Sequence, residues 1–119
     1  MSEIRANTVS DAAGTGPVTL TKQSAAKAWA FFDGTGTPSL DGSLNVSTLT
    51  DNGTGSYFLA WTNAMSDANY ASTGAGRSIV ITGAAAVQTT TNVRVSVVNS
   101  SGTNVDDTNN SVAVHGDLA

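Results

Sequence analysis

The sequence predicts an all-β fold, an antiparallel sandwich or barrel of about seven or eight short strands with an extended N-terminal arm. Apolar and polar residues alternate in several short segments, most clearly at Val93, Val95 and Val97. A period of two is typical of a strand with one buried face. Residues that favour turns, chiefly Asn, Asp and Gly, separate these segments. No stretch has the length and periodicity of a long helix.

The N-terminal part divides into an arm, residues 1–16, and the start of a single β domain, residues 17–119. In the arm, Ile4 and Val9 are isolated apolar residues in polar surroundings. Residues 17–21 are predicted to form a short strand, and residues 23–27 a helical turn. A chain of 119 residues has the size of one domain.

The next segment contains a strand around Trp29, with its large residues on one face and Ala residues on the other. The Gly- and Thr-rich residues 34–42 are predicted to form a loop. Residues 44–62 are predicted to form a β-hairpin, because their Asn52-Gly53 pair favours a tight hairpin turn. In its second strand, Tyr57, Leu59 and Trp61 are expected to share one face.

The C-terminal half is predicted to contain three further strands joined by polar connections. Residues 63–75 are polar, with Tyr70 on a short strand, and residues 83–91 form an Ala- and Thr-rich connection. The three strands are predicted at residues 77–82, 92–98 and 111–115. A polar loop, residues 99–110, is predicted before the last of them.

Composition excludes several classes of function. The formal net charge is −4 and 12% of residues are charged, so a basic surface for nucleic acid is not expected. No apolar run approaches the roughly 20 residues of a membrane-spanning helix, and no apolar leader follows Met1. The chain has no Cys, which excludes disulfides and thiolate metal sites.

The apolar content predicts a thin core. Leu, Ile, Val and Phe make up about one residue in five, near the level at which disorder is considered. Low net charge and clustered apolar residues favour a folded domain instead. Because a small domain buries proportionally little surface, the thin core favours an oligomer.

Groups able to carry chemistry are few. His115 is the only His, so a Ser-His-Asp arrangement has no other candidate base, and we expect a surface or interface residue. The pair Asp106 and Asp107 could serve acid–base catalysis. Two segments, residues 51–53 and residues 104–107, could offer oxygen ligands to Ca²⁺, although neither has the EF-hand spacing. Both segments fit ordinary turn chemistry. We therefore expect no enzyme activity, no cofactor and no metal.

The aromatic residues have two interpretations. Trp29, Trp61, Tyr57 and Phe58 could line a sugar-binding platform, but their alternating strand positions favour two or three of them as core. Phe32 lies on the less crowded face of its strand, as does Phe58, and these two are the aromatic interface candidates.

The order of several motifs resembles a domain common in virion proteins of tailed bacteriophages. No single motif is specific, but the ordered set covers nearly the whole chain. One departure is that residues 38–44 lack the Arg-Asp pair and aromatic of the family pattern. The motifs are SDAAGTGPVTLTKQSAAKAW (residues 10–29), DGTGT (33–37), LNVS (44–47), TDNGTGSY (50–57), MSDANY (65–70), VRV (93–95) and SVAV (111–114).

The resemblance implies a structural protein of the virion. Tail fibres usually join such a domain to an attachment region and a long shaft, whereas this chain starts at Met1 and carries neither. We therefore expect a capsid decoration (cement) protein, since such proteins are similar in size and many are β-rich homotrimers. The alternative is a tail or head fibre tip that binds a host receptor or glycan.

The expected partners are further copies of the chain, as a homotrimer, and the major capsid protein. The protein would be made in the host cytoplasm and end on the capsid surface, without nucleic-acid or membrane contacts. The interface candidates are Ile4, Arg5, Val9, Phe32, Phe58 and Arg94.

Overall fold

The computed structural model describes residues 3, 6–10, 12–14, 25–82 and 88–119. These residues form eight strands and no helix, so none of them belongs to a helix that could cross a membrane. The strands are β1 (Ala28–Asp33), β2 (Ser39–Leu44), β3 (Val46–Asp51), β4 (Ser56–Trp61), β5 (Ala71–Gly76), β6 (Ile79–Thr82), β7 (Asn92–Val98) and β8 (Asn110–His115).

The strands form two antiparallel sheets of four. Sheet A has the order β2-β1-β8-β5, and sheet B has the order β3-β4-β7-β6. Hairpins join β1 to β2, β3 to β4 and β6 to β7, each within one sheet. The predicted all-β sandwich with about eight strands is confirmed.

The chain passes from sheet A to sheet B at two corners. Asn45 alone separates β2 from β3, and its φ of 57° is in the left-handed region. At the second corner the chain passes from β5 to β6, and these two strands lie against each other. A Cβ on Gly74 would come within 2.6 Å of Val80 Cγ1, so glycine permits this close approach.

The core lies between the sheets and is built from alternating strand positions. Val93, Val95 and Val97 of β7 are fully buried, as predicted. Opposite sheets meet where the rings of Phe32 and Tyr57 pack edge to face, with centroids 5.2 Å apart. Sheet A contributes mainly small residues to this core, which keeps it thin. The buried hydrophobic residues of sheet A are Ala28, Ala30, Phe32, Val112 and Val114. Those of β4 are Tyr57, Leu59 and Trp61.

The predicted elements agree with the structure except in three places. The loop predicted over residues 34–42 is wrong in its second half, because β2 begins at Ser39 and pairs with β1. The strand predicted around Tyr70 is instead β5, which follows that residue. The strand predicted over residues 17–21 and the first two residues of the turn predicted over 23–27 lie outside the described residues, whereas residues 25–27 are described and form no helical turn.

Candidate functional site

The outer face of sheet B carries an exposed apolar patch. Phe58 of β4 pairs with Arg94 of β7, so these two interface candidates lie side by side. On β6, Ile79 and Ile81 are 52% and 38% exposed. We call Phe58, Ile79, Ile81 and Arg94 the sheet B patch.

Arg94 gives the sheet B patch its charge. It is partly buried, and within the part of the chain that the structure describes its Nε has no hydrogen-bond partner. A guanidinium beside an aromatic ring is the combination enriched at the centres of protein interfaces. The patch can therefore accept an apolar surface that carries a carboxylate or a carbonyl oxygen.

The outer face of sheet A carries an open groove of about 370 Å³. Trp29 and Phe31 of β1 form one wall, and each side chain is 40% exposed. The floor is formed by Ser111 and Ala113 of β8, which pair with these two aromatic residues. Thr73 and Ala75 of β5 complete the opposite side. Small side chains on β8 and β5 beside large ones on β1 create the concavity.

The orientation of β1 corrects one prediction. Phe32 is fully buried in the core, so it is not available as an interface residue and its assignment to the open face is wrong. Trp29 and Phe31 point outward instead. A Cβ on Gly42 would lie 3.2 Å from Trp29 Cζ3, so the ring lies over a glycine of β2 that leaves room for it.

At one end of the sandwich, three loops are joined by hydrogen bonds. The Tyr57 hydroxyl lies 2.7 Å from Asp106 Oδ1 and 3.0 Å from the Gly34 carbonyl oxygen. The Gly55 amide also donates to Asp106 Oδ1, at 2.8 Å. The Gly34 amide donates to the Asp107 carbonyl oxygen, at 2.8 Å. These contacts, which we call the Tyr57 latch, hold the β1-β2, β3-β4 and β7-β8 connections together.

The carboxylates near the Tyr57 latch are engaged in local hydrogen bonds. Ser78 Oγ donates to Asp107 Oδ2 at 2.6 Å, and this bond is the main cause of the lowered pKa of Asp107. The hydroxyl and amide of Thr35 donate to Asp33 and lower the pKa of its carboxyl group in the same way. Asp51 Oδ1 accepts from the Gly53 amide at 2.9 Å. These oxygens serve turns and loop contacts.

No metal cluster is present among the described residues, since no three of their His, Asp or Glu side chains come close enough to hold an ion. His115 lies at the end of β8, where it pairs with Ala71 on the outer face of sheet A. No hydrogen bond or ion pair engages its imidazole within the described residues. It lies two residues beyond Ala113 on the same face of β8, outside the residues that line the groove.

The predicted interface residues are scattered. Phe58 and Arg94 meet in the sheet B patch, whereas Val9 is 68% exposed in the arm. Ile4 and Arg5 lie outside the described residues. Tyr57 and Trp61 are buried, as expected for two of the four aromatic platform candidates.

Sequence reasoning missed the outward position of Phe31 and the exposure of Ile79 and Ile81. In the segment from Ala28 to Asp33, aromatic residues occur on both faces of the strand. Alternation alone therefore does not decide which face is buried. Before β6, the polar residues Arg77 and Ser78 indicate that the strand begins at the surface. They do not indicate which of its Ile residues are exposed.

Comparison with known proteins gives no relative. No protein-family model matches the chain, and no curated protein and no solved structure is significantly similar to it.

Proposed function

We propose that this chain is a structural protein of a tailed-bacteriophage virion, acting as a homotrimeric decoration (cement) protein on the capsid. The sheet B patch is the observation that carries the proposal. It combines exposed aliphatic residues with a Phe-Arg pair on one face of sheet B. Together with the ordered motifs of the virion-like pattern, it favours an assembly role.

The patch is suited to contacts with another folded chain. Ile79 and Ile81 expose aliphatic surface to water, and covering apolar surface is worth about 25 cal/mol per Å². Arg94 adds directional hydrogen bonds to a partner oxygen. One face of a four-stranded sheet is nevertheless well below the roughly 800 Å² per partner of a stable interface.

Valency offsets the small area of each contact. In the trimer, the sheet B patch contacts a neighbouring copy of the chain. The three joined copies then present three capsid contacts together, which raises the overall affinity for the shell without any new contact. Binding to the assembled shell but not to dissociated subunits stabilises the assembled state by mass action. The N-terminal arm, with Val9 exposed, could add area by pairing with an adjacent chain.

The number of copies per particle tests the proposal. Quantitative mass spectrometry of purified particles should find hundreds of copies of a decoration protein and should find the chain on emptied heads separated from tails. A few copies per particle, confined to the tail fraction, would identify a fibre component instead. Absence from purified particles would refute the virion assignment altogether.

A further inference from the structure

The geometry points to a saccharide-binding site in the groove on the outer face of sheet A. The site is distinct from the sheet B patch and lies on the opposite face of the sandwich. The inference rests on the groove itself and does not require the capsid role.

The shape of the groove suits a small ring-shaped ligand. Its volume of about 370 Å³ lies within the roughly 300–1,000 Å³ typical of ligand pockets. Trp29 and Phe31 stand two residues apart on one strand, so their side chains are about 7 Å apart along the groove. That spacing lets two adjoining rings of an oligosaccharide lie against two successive aromatic side chains.

The aromatic wall provides the apolar part of saccharide recognition. Trp29 and Phe31 stand on β1, which pairs with strands on both sides, β2 and β8, so little backbone entropy remains to be lost on binding. The C–H groups on one face of a sugar ring carry partial positive charge. They pack favourably against the negative face of an aromatic ring.

The remaining residues provide uncharged polar groups. Ser111 Oγ donates to the Ala75 carbonyl oxygen at 2.9 Å, which leaves its lone pairs as acceptors for a sugar hydroxyl. Thr73 lies on the opposite side of the groove. His115 lies two residues beyond Ala113 on the same face, and its imidazole can both donate and accept.

Charge and area separate a saccharide from other occupants. The residues that line the groove are all uncharged, so nothing there selects a charged peptide or a phosphate. A second copy of the chain resting on this face alone would bury much less than the roughly 800 Å² per partner of a stable interface. A small neutral ligand with an apolar face and hydroxyl groups fits both the uncharged lining and the small area of the groove.

Screening the full chain against immobilised oligosaccharides ending in glucose, galactose, mannose or N-acetylglucosamine tests the inference. At least one should bind, and its soluble form should then be titrated by NMR, which removes the effect of valency. Trp29→Ala should weaken that binding at least tenfold. Phe58→Ala, a change of an aromatic residue on the other sheet, should alter it less than twofold.

A second variant guards against loss of fold. Ala113→Leu keeps both aromatic residues but fills the floor of the groove, and it should also weaken binding at least tenfold while the circular dichroism spectrum stays that of the parent. Lack of binding to every oligosaccharide would overturn the inference. Binding that survives both Trp29→Ala and Ala113→Leu would do so as well. Neither result bears on the copy number that tests the capsid role.

Discussion

The side chain of Asn45 binds the backbone of Asn63 through both of its polar atoms. Asn45 Nδ2 donates to the Asn63 carbonyl oxygen at 3.0 Å, and Asn45 Oδ1 accepts from the Asn63 amide at 2.7 Å. Asn45 is also the single residue between β2 and β3, with φ of 57°. The corner at which the chain changes sheets is therefore tied to the end of β4.

Asn45→Ala should lower the free energy of unfolding by about 2 kcal/mol. Each hydrogen bond contributes about 1 kcal/mol or less at this exposed site, and a left-handed Ala adds roughly 1 kcal/mol of strain. Asn45→Gly loses the bonds without the strain, so it should cost about half as much in urea unfolding. Asn69→Ala, which changes an exposed Asn in a loop, is the control. Equal effects for all three would rule out the corner as the cause.

Tyr57→Phe should destabilise the protein by about 1–3 kcal/mol. The substitution keeps the buried ring and removes only the hydroxyl that contacts Asp106 and Gly34. The loss leaves the carbonyl oxygen of the buried Gly34 without this donor, while Asp106 Oδ1 keeps its bond from the Gly55 amide. Urea unfolding measures the effect, and amide exchange should show faster opening of the β7-β8 loop. Unchanged exchange in that loop would mean that the hydroxyl does not hold it.

Stability should fall as the pH rises above about 10. Burial, and then the hydrogen bond to Asp106, raise the pKa of Tyr57, and burial also raises that of Tyr70. In the unfolded chain both titrate near the usual tyrosine pKa of about 10. Their contribution is complete below that pH and is lost as the pH rises toward the folded-state values, because the unfolded state releases its protons first.

The alkaline loss should depend on the number of buried tyrosines. Thermal unfolding between pH 8 and pH 11 should show a smaller decline for Tyr57→Phe than for the parent. The double variant with Tyr70→Phe should show the smallest decline. If the three proteins declined in parallel, the titration would have to come from other groups, such as Lys side chains.

Gly34→Ala should destabilise the protein by about 1–3 kcal/mol, the range for overpacking. A Cβ at this position would collide with the Tyr57 hydroxyl and lie 2.7 Å from its Cζ. In the Tyr57→Phe background the penalty should shrink, because part of the collision disappears. Additive effects in the double-mutant cycle would show that the two residues do not meet as described.

The sequence predicts the core strands well because alternation there is regular. Val93, Val95 and Val97 all face inward, and β3 and β4 form the expected hairpin. Its connection is the four residues 52–55 rather than a tight Asn-Gly turn, with positive φ at Gly53 and Gly55. In contrast, β2 has no clear alternation, since as the edge of its sheet it is mostly exposed on both faces. It forms because it completes the pairing of β1, which local sequence does not reveal.

The candidate sites depend on contacts distant in sequence, which explains why they were harder to predict. Asp106 fits a solvated turn residue by composition, yet its carboxylate bonds Tyr57, 49 positions earlier. The groove requires small residues on β8 and β5 to face the aromatic residues of β1. Only strand order and register bring these three segments together. Phe58 and Arg94 were predicted separately, and their pairing is likewise a consequence of register.

The proposed homotrimer should depend on the sheet B patch. We expect light scattering at micromolar concentration to give three times the chain mass of 12.0 kDa. The double variant Ile79→Ser and Ile81→Ser should shift the mass toward one chain, because it removes the most exposed apolar surface of that sheet. Both side chains point away from the core, so the variant should remain folded. The matched control is Leu44→Ser, which removes a 48% exposed side chain from sheet A and should leave the mass unchanged. A parent protein that is monomeric both in solution and on purified particles would contradict the trimer.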